Sequence, residues 1–266
     1  MDSAHGVATA LDTLATLPGV QECGTRVAQA VRSVRFSTGL RRGWEGARAE
    51  ASVRWVLREC AMLGRDVTAQ ALREQIAWRG EPDDPVAAAA WRCHIDAVNS
   101  MPPLNTKDTA PPRQVPMRAL LAGLHRDAAS TQESNSERNA AGILSPSDLN
   151  RQELLMAIAE SKAPAIVVLS VLLGQWLTDP LTVPGDSFIR DSFVRSLATS
   201  RGLEPTGIAV LDIQSLRDGL AHYERGDSEG MVAWFTLVAD SFVDAMSEAL
   251  RISQSVLAGR TDPELP

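Results

Sequence analysis

The chain of 266 residues carries 33 acidic against 26 basic side chains, a formal net charge of -7, which excludes general binding to nucleic acid or to an anionic membrane surface, since both need clustered positive charge. Its length fits one large domain or two small ones and allows about 70–75% of the unfolded surface to be buried, so a core needs no covalent staples. Three widely spaced cysteines, Cys23, Cys60 and Cys93, form neither a disulfide framework nor a Cys-x-x-Cys site and are expected as reduced thiols in packed helices.

The opening Met1-Asp2-Ser3-Ala4-His5 lacks a basic start and an apolar stretch, so a cytoplasmic location is expected. Between Arg26 and Arg58 lie Arg32, Arg35, Arg41, Arg42, Arg48 and Arg54, interleaved with Glu45, Glu50 and Glu59. Opposite charges at helical spacing, such as Glu50 and Arg54, predict a solvated, salt-bridged helix face. Leu40 to Met62 keeps apolar residues at three- and four-residue intervals and reads as one long helix, with Trp44 and Trp55 on its core side. A second helix starts after Thr68, a candidate N-cap, and runs through Trp78 to the breaker Gly80-Glu81-Pro82. Asp84 before Pro85 is a strong start signal, because Asp accepts from free amides while Pro fits the first helical position. Val86 to Ser100 follows as helix.

Met101 to Pro116 holds Pro102, Pro103, Pro111, Pro112 and Pro116, which remove amide donors and turn preceding residues away from helix. This linker sets the expected division into an N-terminal helical region, 1–105, and a helical core, 106–266. Helix is expected at Met117–Ala129, and a loop over the polar stretch Ser130–Asn139. Later helices fall at about Leu149–Lys162, Ala165–Leu177, Phe188–Ser200, Ile213–Arg225 and Ser228–Ala258, with Gly202 and Gly226 as stops. The apolar run Ala163–Leu177 is too short to span a membrane, which takes about 20 residues, and reads as a buried core helix. No strand-like alternation is present. The fold class is therefore all-α.

Of the four histidines, no two stand at i, i+3 or i+4, so no zinc site is expected. The P-loop, Gly-x-Ser-x-Gly and dinucleotide fingerprints are absent. Three segments stand in an order that is informative: Leu120-Leu121-Ala122-Gly123-Leu124-His125, then Ala163-Pro164-Ala165-Ile166 through Gln175-Trp176 to Asp179-Pro180-Leu181, then His222-Tyr223 and Gly226-Asp227 followed by Trp234-Phe235. Together they resemble the Fic/Doc (Fido) family over roughly Pro116 to Leu250, a degenerate member of actinobacterial type.

In active members of that family the loop reads His-Pro-Phe-x-Asp/Glu-Gly-Asn-Gly-Arg-x-x-Arg. The His accepts a proton from the target hydroxyl, the acid holds the magnesium of ATP, the Gly-Asn-Gly turn offers amides to phosphate, and the arginines pair with the triphosphate. Aligned on that pattern, Asp179 stands for the His, Val183 for the metal-binding acid and Ser187 for the first Arg, while Pro180 and Arg190 match. Asp179 is ionised and weakly basic unless buried, so it is expected to cap or ion-pair. Pro184 weakens the anion cradle, although a slipped register lets Gly185-Asp186-Ser187 take its place, with Arg190 on phosphate. Relatives also carry an inhibitory Ser/Thr-x-x-x-Glu-Gly; Glu45-Gly46 keeps its end, with Arg41 at the hydroxyl position, and Cys60 to Gly64 is a second candidate lacking the acid. The resemblance thus implies a Fic-like helical bundle with an N-terminal extension, working as a pseudoenzyme or regulatory protein that binds a protein partner or a nucleotide. If activity remains, it implies transfer of a nucleotidyl (AMP) or other phosphate-bearing group, with ATP and magnesium, Asp179 as base and Arg190 on phosphate. A third reading is a helical assembly partner using the Arg-rich first half.

Overall fold

The structure, a computed structural model, describes residues 2–104, 116–130 and 144–259. Most of the expected linker, and the Ser130–Asn139 loop beyond Ser130, lie outside them. Among the described residues every regular element is a helix: α1 (Asp2–Ala15), α2 (Val20–Arg35), α3 (Thr38–Met62), α4 (Ala69–Arg79), α5 (Pro85–Ser100), α6 (Met117–Ala129), α7 (Pro146–Ala159), α8 (Ala165–Thr178), α9 (Asp186–Ser200), α10 (Ile213–Asp218), α11 (Leu220–Glu224) and α12 (Ser228–Leu257). The fold is all-α. No helix among them is long and apolar enough to cross a membrane.

Local chemistry explains most boundaries. Thr68 Oγ1 accepts from the Ala71 amide at 3.2 Å, and Asp84 accepts from Val86 and Ala87 ahead of α5, each satisfying amides that have no partner inside the helix. Gly80 closes α4 in the left-handed region at φ 82°, where only Gly sits without strain. Of the boundaries that differ from expectation, two have a local cause. Helix α7 starts three residues early because Ser145 caps it, accepting from the Asp148 amide at 3.1 Å, with Pro146 at its first position. The expected Ile213–Arg225 helix breaks at Gly219 into α10 and α11. Two further helices, α1 and α2, stand ahead of the first expected one.

Helix α8 is apolar on nearly every side, buried from Ile166 to Leu177 and packed by α1, α2, α7, α9, α11 and α12. It is the buried core helix its composition predicts. Helix α12 lies across α2 and α3, so core residues from both sides of the 105/106 boundary, such as Val27, Trp55, Trp176 and Trp234, form one continuous cluster. The cysteines are free and buried, and burial pushes the Cys60 thiol up to about 12.

The approach of α12 to α3 depends on glycine. Gly43 leaves helical geometry and kinks α3, and a Cβ on Gly39 would lie 2.5 Å from the Ser253 carbonyl oxygen. Backbone cannot yield there as a side chain can. Gly39→Ala is expected to destabilise by about 2 kcal/mol in urea melts despite alanine's better helix propensity. Gly219→Ala, whose Cβ meets only the flexible end of Leu237, should change stability by less than about 1 kcal/mol. Equal effects would refute the backbone argument.

The expected solvated face holds for Arg26, Arg32, Arg35, Arg41 and Arg42, which are exposed, but not for the middle of α3. Arg48 and Arg54 are buried. Arg54 donates to Glu50 and to Glu248 of α12, while Arg58 donates to Glu248 and to the Val210 and Leu211 carbonyls. The reason lies in residues 203–212, a largely buried segment without helix or strand, whose carbonyls would otherwise lack partners. Arg48 Nε donates to Thr206, Arg195 to Gly207, Trp55 Nε1 to Ala209 and Arg58 to Val210 and Leu211. The Thr206 and Gly207 amides donate to Glu204. Side chains replace the missing ladder.

Candidate functional site

The loop between α8 and α9, residues 179–185, holds the residues singled out by the sequence. Asp179 closes α8, its amide donating to Gln175. Its half-exposed carboxylate pairs with Arg151 Nε of α7 at 2.6 Å. Asp179 therefore caps and ion-pairs. Arg151 also reaches Asp148, which accepts from the Thr182 amide at 2.8 Å, the Thr182 hydroxyl at 2.6 Å and Ser145 Oγ at 2.6 Å. Burial opposes ionisation of Asp148, but these hydrogen bonds outweigh it and hold the carboxyl well below the usual range. The loop is thereby tied to the start of α7. Sequence reasoning missed Asp148 and Arg151. The Ser-Pro-Ser-Asp start at 145–148 was the available signal, since it has the form of a capped helix.

At the far end Gly185 adopts φ 69°, and a Cβ there would lie 2.9 Å from Ala128 Cβ and from the Phe188 ring. Only Gly fits between α6 and α9. Asp186 opens α9, and its Oδ1 accepts from Trp176 Nε1 at 2.7 Å and from the Leu181 amide at 3.3 Å. Burial raises the Asp186 pKa against the pull of Trp176 and Arg190. The helix start that favours anions thus already carries the chain's own carboxyl. Ser187 is half-buried, and its hydroxyl has no hydrogen-bond partner among the described residues. At the positions the resemblance gives to the metal acid and the turn, Val183 offers no oxygen ligand from its side chain and Pro184 no amide. Glu45 and Gly46 are exposed on α3, with Gly46 against Val256 of α12.

Arg190 points away from solvent. It is 1% exposed, its Nε donates to Asp191 Oδ1 at 2.7 Å, and its Nη2 has no partner. It enters a buried polar cluster formed by α3, α5 and α9. Glu59 Oε1 lies 3.1 Å from His94 Nε2, and His94 Nδ1 lies 3.1 Å from Ser192 Oγ, with Trp55 stacked on the imidazole at 5.5 Å. Burial pushes the Glu59 carboxyl up to about 8, opposed by Arg190 and Arg195, and burial pushes His94 down to about 3, assisted by Arg195. At neutral pH the Glu59 carboxyl therefore donates to Nε2, and His94 Nδ1–H donates to Ser192. This acid–imidazole–hydroxyl chain has the order of a nucleophilic relay, yet all three side chains are sealed from solvent. Its chemistry is internal. Glu59 Oε2, Arg190 Nη2 and Asp191 Oδ2 are buried without partners.

Sequence reasoning did not find this cluster. Its members stand 35 and 98 residues apart along the chain, and a charged residue on an isolated helix pattern reads as solvated. His125 is half-buried, with its pKa lowered by burial, while His222 is exposed. Among the described residues no group of three or more His, Cys, Asp and Glu is placed to hold a metal ion. No family model, curated protein or solved structure matches this chain.

Proposed function

We propose that this chain is a Fic-type helical scaffold whose loop has passed from nucleotide transfer to a binding or regulatory role. The observation that carries the reading is that the charged side chains from 179 to 190 are spent on the protein itself: Asp179 on Arg151, Asp186 on Trp176 and Leu181, and Arg190 on Asp191 in the interior. A transferase needs a base free to take a proton and cations free to meet phosphate. The rival transferase reading asks Arg190 to bind phosphate from a position 1% exposed. The assembly reading keeps Arg26, Arg32, Arg35, Arg41 and Arg42 on the surface but loses Arg48 and Arg54, which are turned into the fold.

Titration of the intact protein with ATP, with and without magnesium, should give no saturable magnesium-dependent isotherm, and intact-mass analysis after incubation should show no added AMP. Magnesium-dependent saturation, or AMP incorporation lost in Asp179→Asn, would overturn the proposal. Arg190→Ala is a poor probe, since it empties a buried ion pair.

A further inference from the structure

A second concave site lies away from the loop, between α3, α4, α5 and the end of α12. Its cavity has a volume of about 380 Å³, with walls from Val53, Ile76, Ala77, Trp91 and Val256 and a polar edge formed by Glu50, Arg54 and Arg73. That edge belongs to a ladder of ion pairs running Arg73, Glu50, Arg54, Glu248, Arg58. Three cations meet two carboxylates within the ladder, and Arg58 at its outer end also acts on Asp212. Arg58 gives Nη1 to the Val210 and Leu211 carbonyls and does not line the cavity. Arg73 gives Nε and Nη2 to Glu50, and Arg54 gives Nε to Glu50 and Nη1 to Glu248. Arg73 Nη1 and Arg54 Nη2 have no hydrogen-bond partner among the described residues, and the Arg54 side chain is only 6% exposed.

We propose that this cavity binds a small monocarboxylate with an apolar body, its chain against Val53, Ile76 and Trp91 and its carboxylate on the spare donors of Arg54 and Arg73. A single carboxylate meets the two guanidinium donors that Glu50 and Glu248 leave unused. A carboxylate accepts charge-assisted hydrogen bonds from guanidinium, and a largely apolar cavity with a few convergent polar groups is the usual form of a small-molecule site. A neutral head forgoes the charge-assisted bond, and an ammonium head is repelled by both guanidinium groups.

The test is calorimetric titration of the full chain with octanoate, octanol and octylamine. Octanoate should bind at one site, octanol at least about tenfold more weakly, the loss of about 1.4 kcal/mol expected when a charged acceptor is removed, and octylamine not at all. Between butanoate and hexanoate each added methylene should tighten binding about fourfold. Arg73→Gln leaves Glu50 paired with Arg54 and should weaken octanoate at least about tenfold. Ala77→Trp fills the cavity from its exposed rim and should abolish binding while circular dichroism and melting temperature stay at wild-type values. Equal affinity for octanol and octanoate, undiminished affinity in both variants, or no octanoate isotherm at all overturns the proposal.

Discussion

Arg195→Ala is expected to cost at least about 4 kcal/mol of folding stability, the largest effect of any single truncation in this protein. Arg195 is buried in α9, and its guanidinium makes four hydrogen bonds: two to the Gly207 carbonyl, one to the Arg48 carbonyl and one to Ser52 Oγ. Truncation removes them together and leaves the Gly207 carbonyl dry and unpaired, a penalty of about 1–3 kcal/mol by itself. It also withdraws a cation that lies near Glu59 and Glu204. A cavity the size of the missing side chain adds to the loss. Since a domain has only about 5–15 kcal/mol in hand, urea unfolding should show a much lower midpoint or no cooperative transition. Arg195→Lys keeps the charge but not the planar fork, so it should recover only part of the loss. A drop below about 1 kcal/mol in the alanine variant would mean that the 203–212 segment is not held by side chains.

The combined contribution of Glu59 and His94 to stability should be flat between about pH 4.5 and 6.5 and fall on both sides, for opposite reasons. Glu59 is raised from 4.5 to about 8, so the folded state holds a proton that the unfolded state has released. Its stabilising contribution is full below 4.5 and is lost as pH rises toward 8. His94 is lowered from 6.5 to about 3, so the unfolded state binds a proton that the folded state refuses. Its contribution is full above 6.5 and is lost as pH falls toward 3. Between 4.5 and 6.5 the two slopes cancel. Above and below that window one remains at a time, at about 1.4 kcal/mol per pH unit, or about 2 kcal/mol over each limb. Asp191 and Glu204, raised by burial, and Asp127, raised to about 6 by burial and by Asp96, lose stability as pH rises from their unfolded values and so tilt this window downward, while Asp148, held low, steepens the acid limb. Glu59→Gln keeps a donor for His94 and cannot ionise, so it should flatten the alkaline limb and leave the acid limb in place. Denaturant melts across pH decide this, and an alkaline limb of unchanged depth in Glu59→Gln would remove Glu59 as its source.

Both predictions rest on groups whose roles no local pattern reveals. Near-neighbour chemistry was legible: Thr68, Asp84-Pro85 and Gly80 mark helix ends because a cap acts on amides two or three residues away. The run from Ala165 to Leu177 declared a buried helix because no face of it suits water. The Asp179 reading was legible in kind, since an ionised carboxylate at a helix end finds a cap or a cation. Its partner Arg151 was not, because that contact depends on where α7 lies.

Charge direction marks the division most clearly. Glu50 and Arg54 show correct helical spacing, and from spacing alone a solvated face is the reasonable expectation. The fold instead lays a buried segment and the carboxylate of Glu248 against that face, so the arginines turn inward to satisfy carbonyls that water cannot reach. Arg190 follows the same rule: on the proposed Fic-type reading it stands at a phosphate-binding position, and in space it pairs with Asp191. The sequence by itself determined helices, caps and the apolar core helix, all set by interactions within a few residues. Tertiary structure alone decided which charges are buried, how Glu59, His94 and Ser192 meet, and what the loop has left to offer, because the cost of an unpaired polar group is fixed by the segments that exclude water from it.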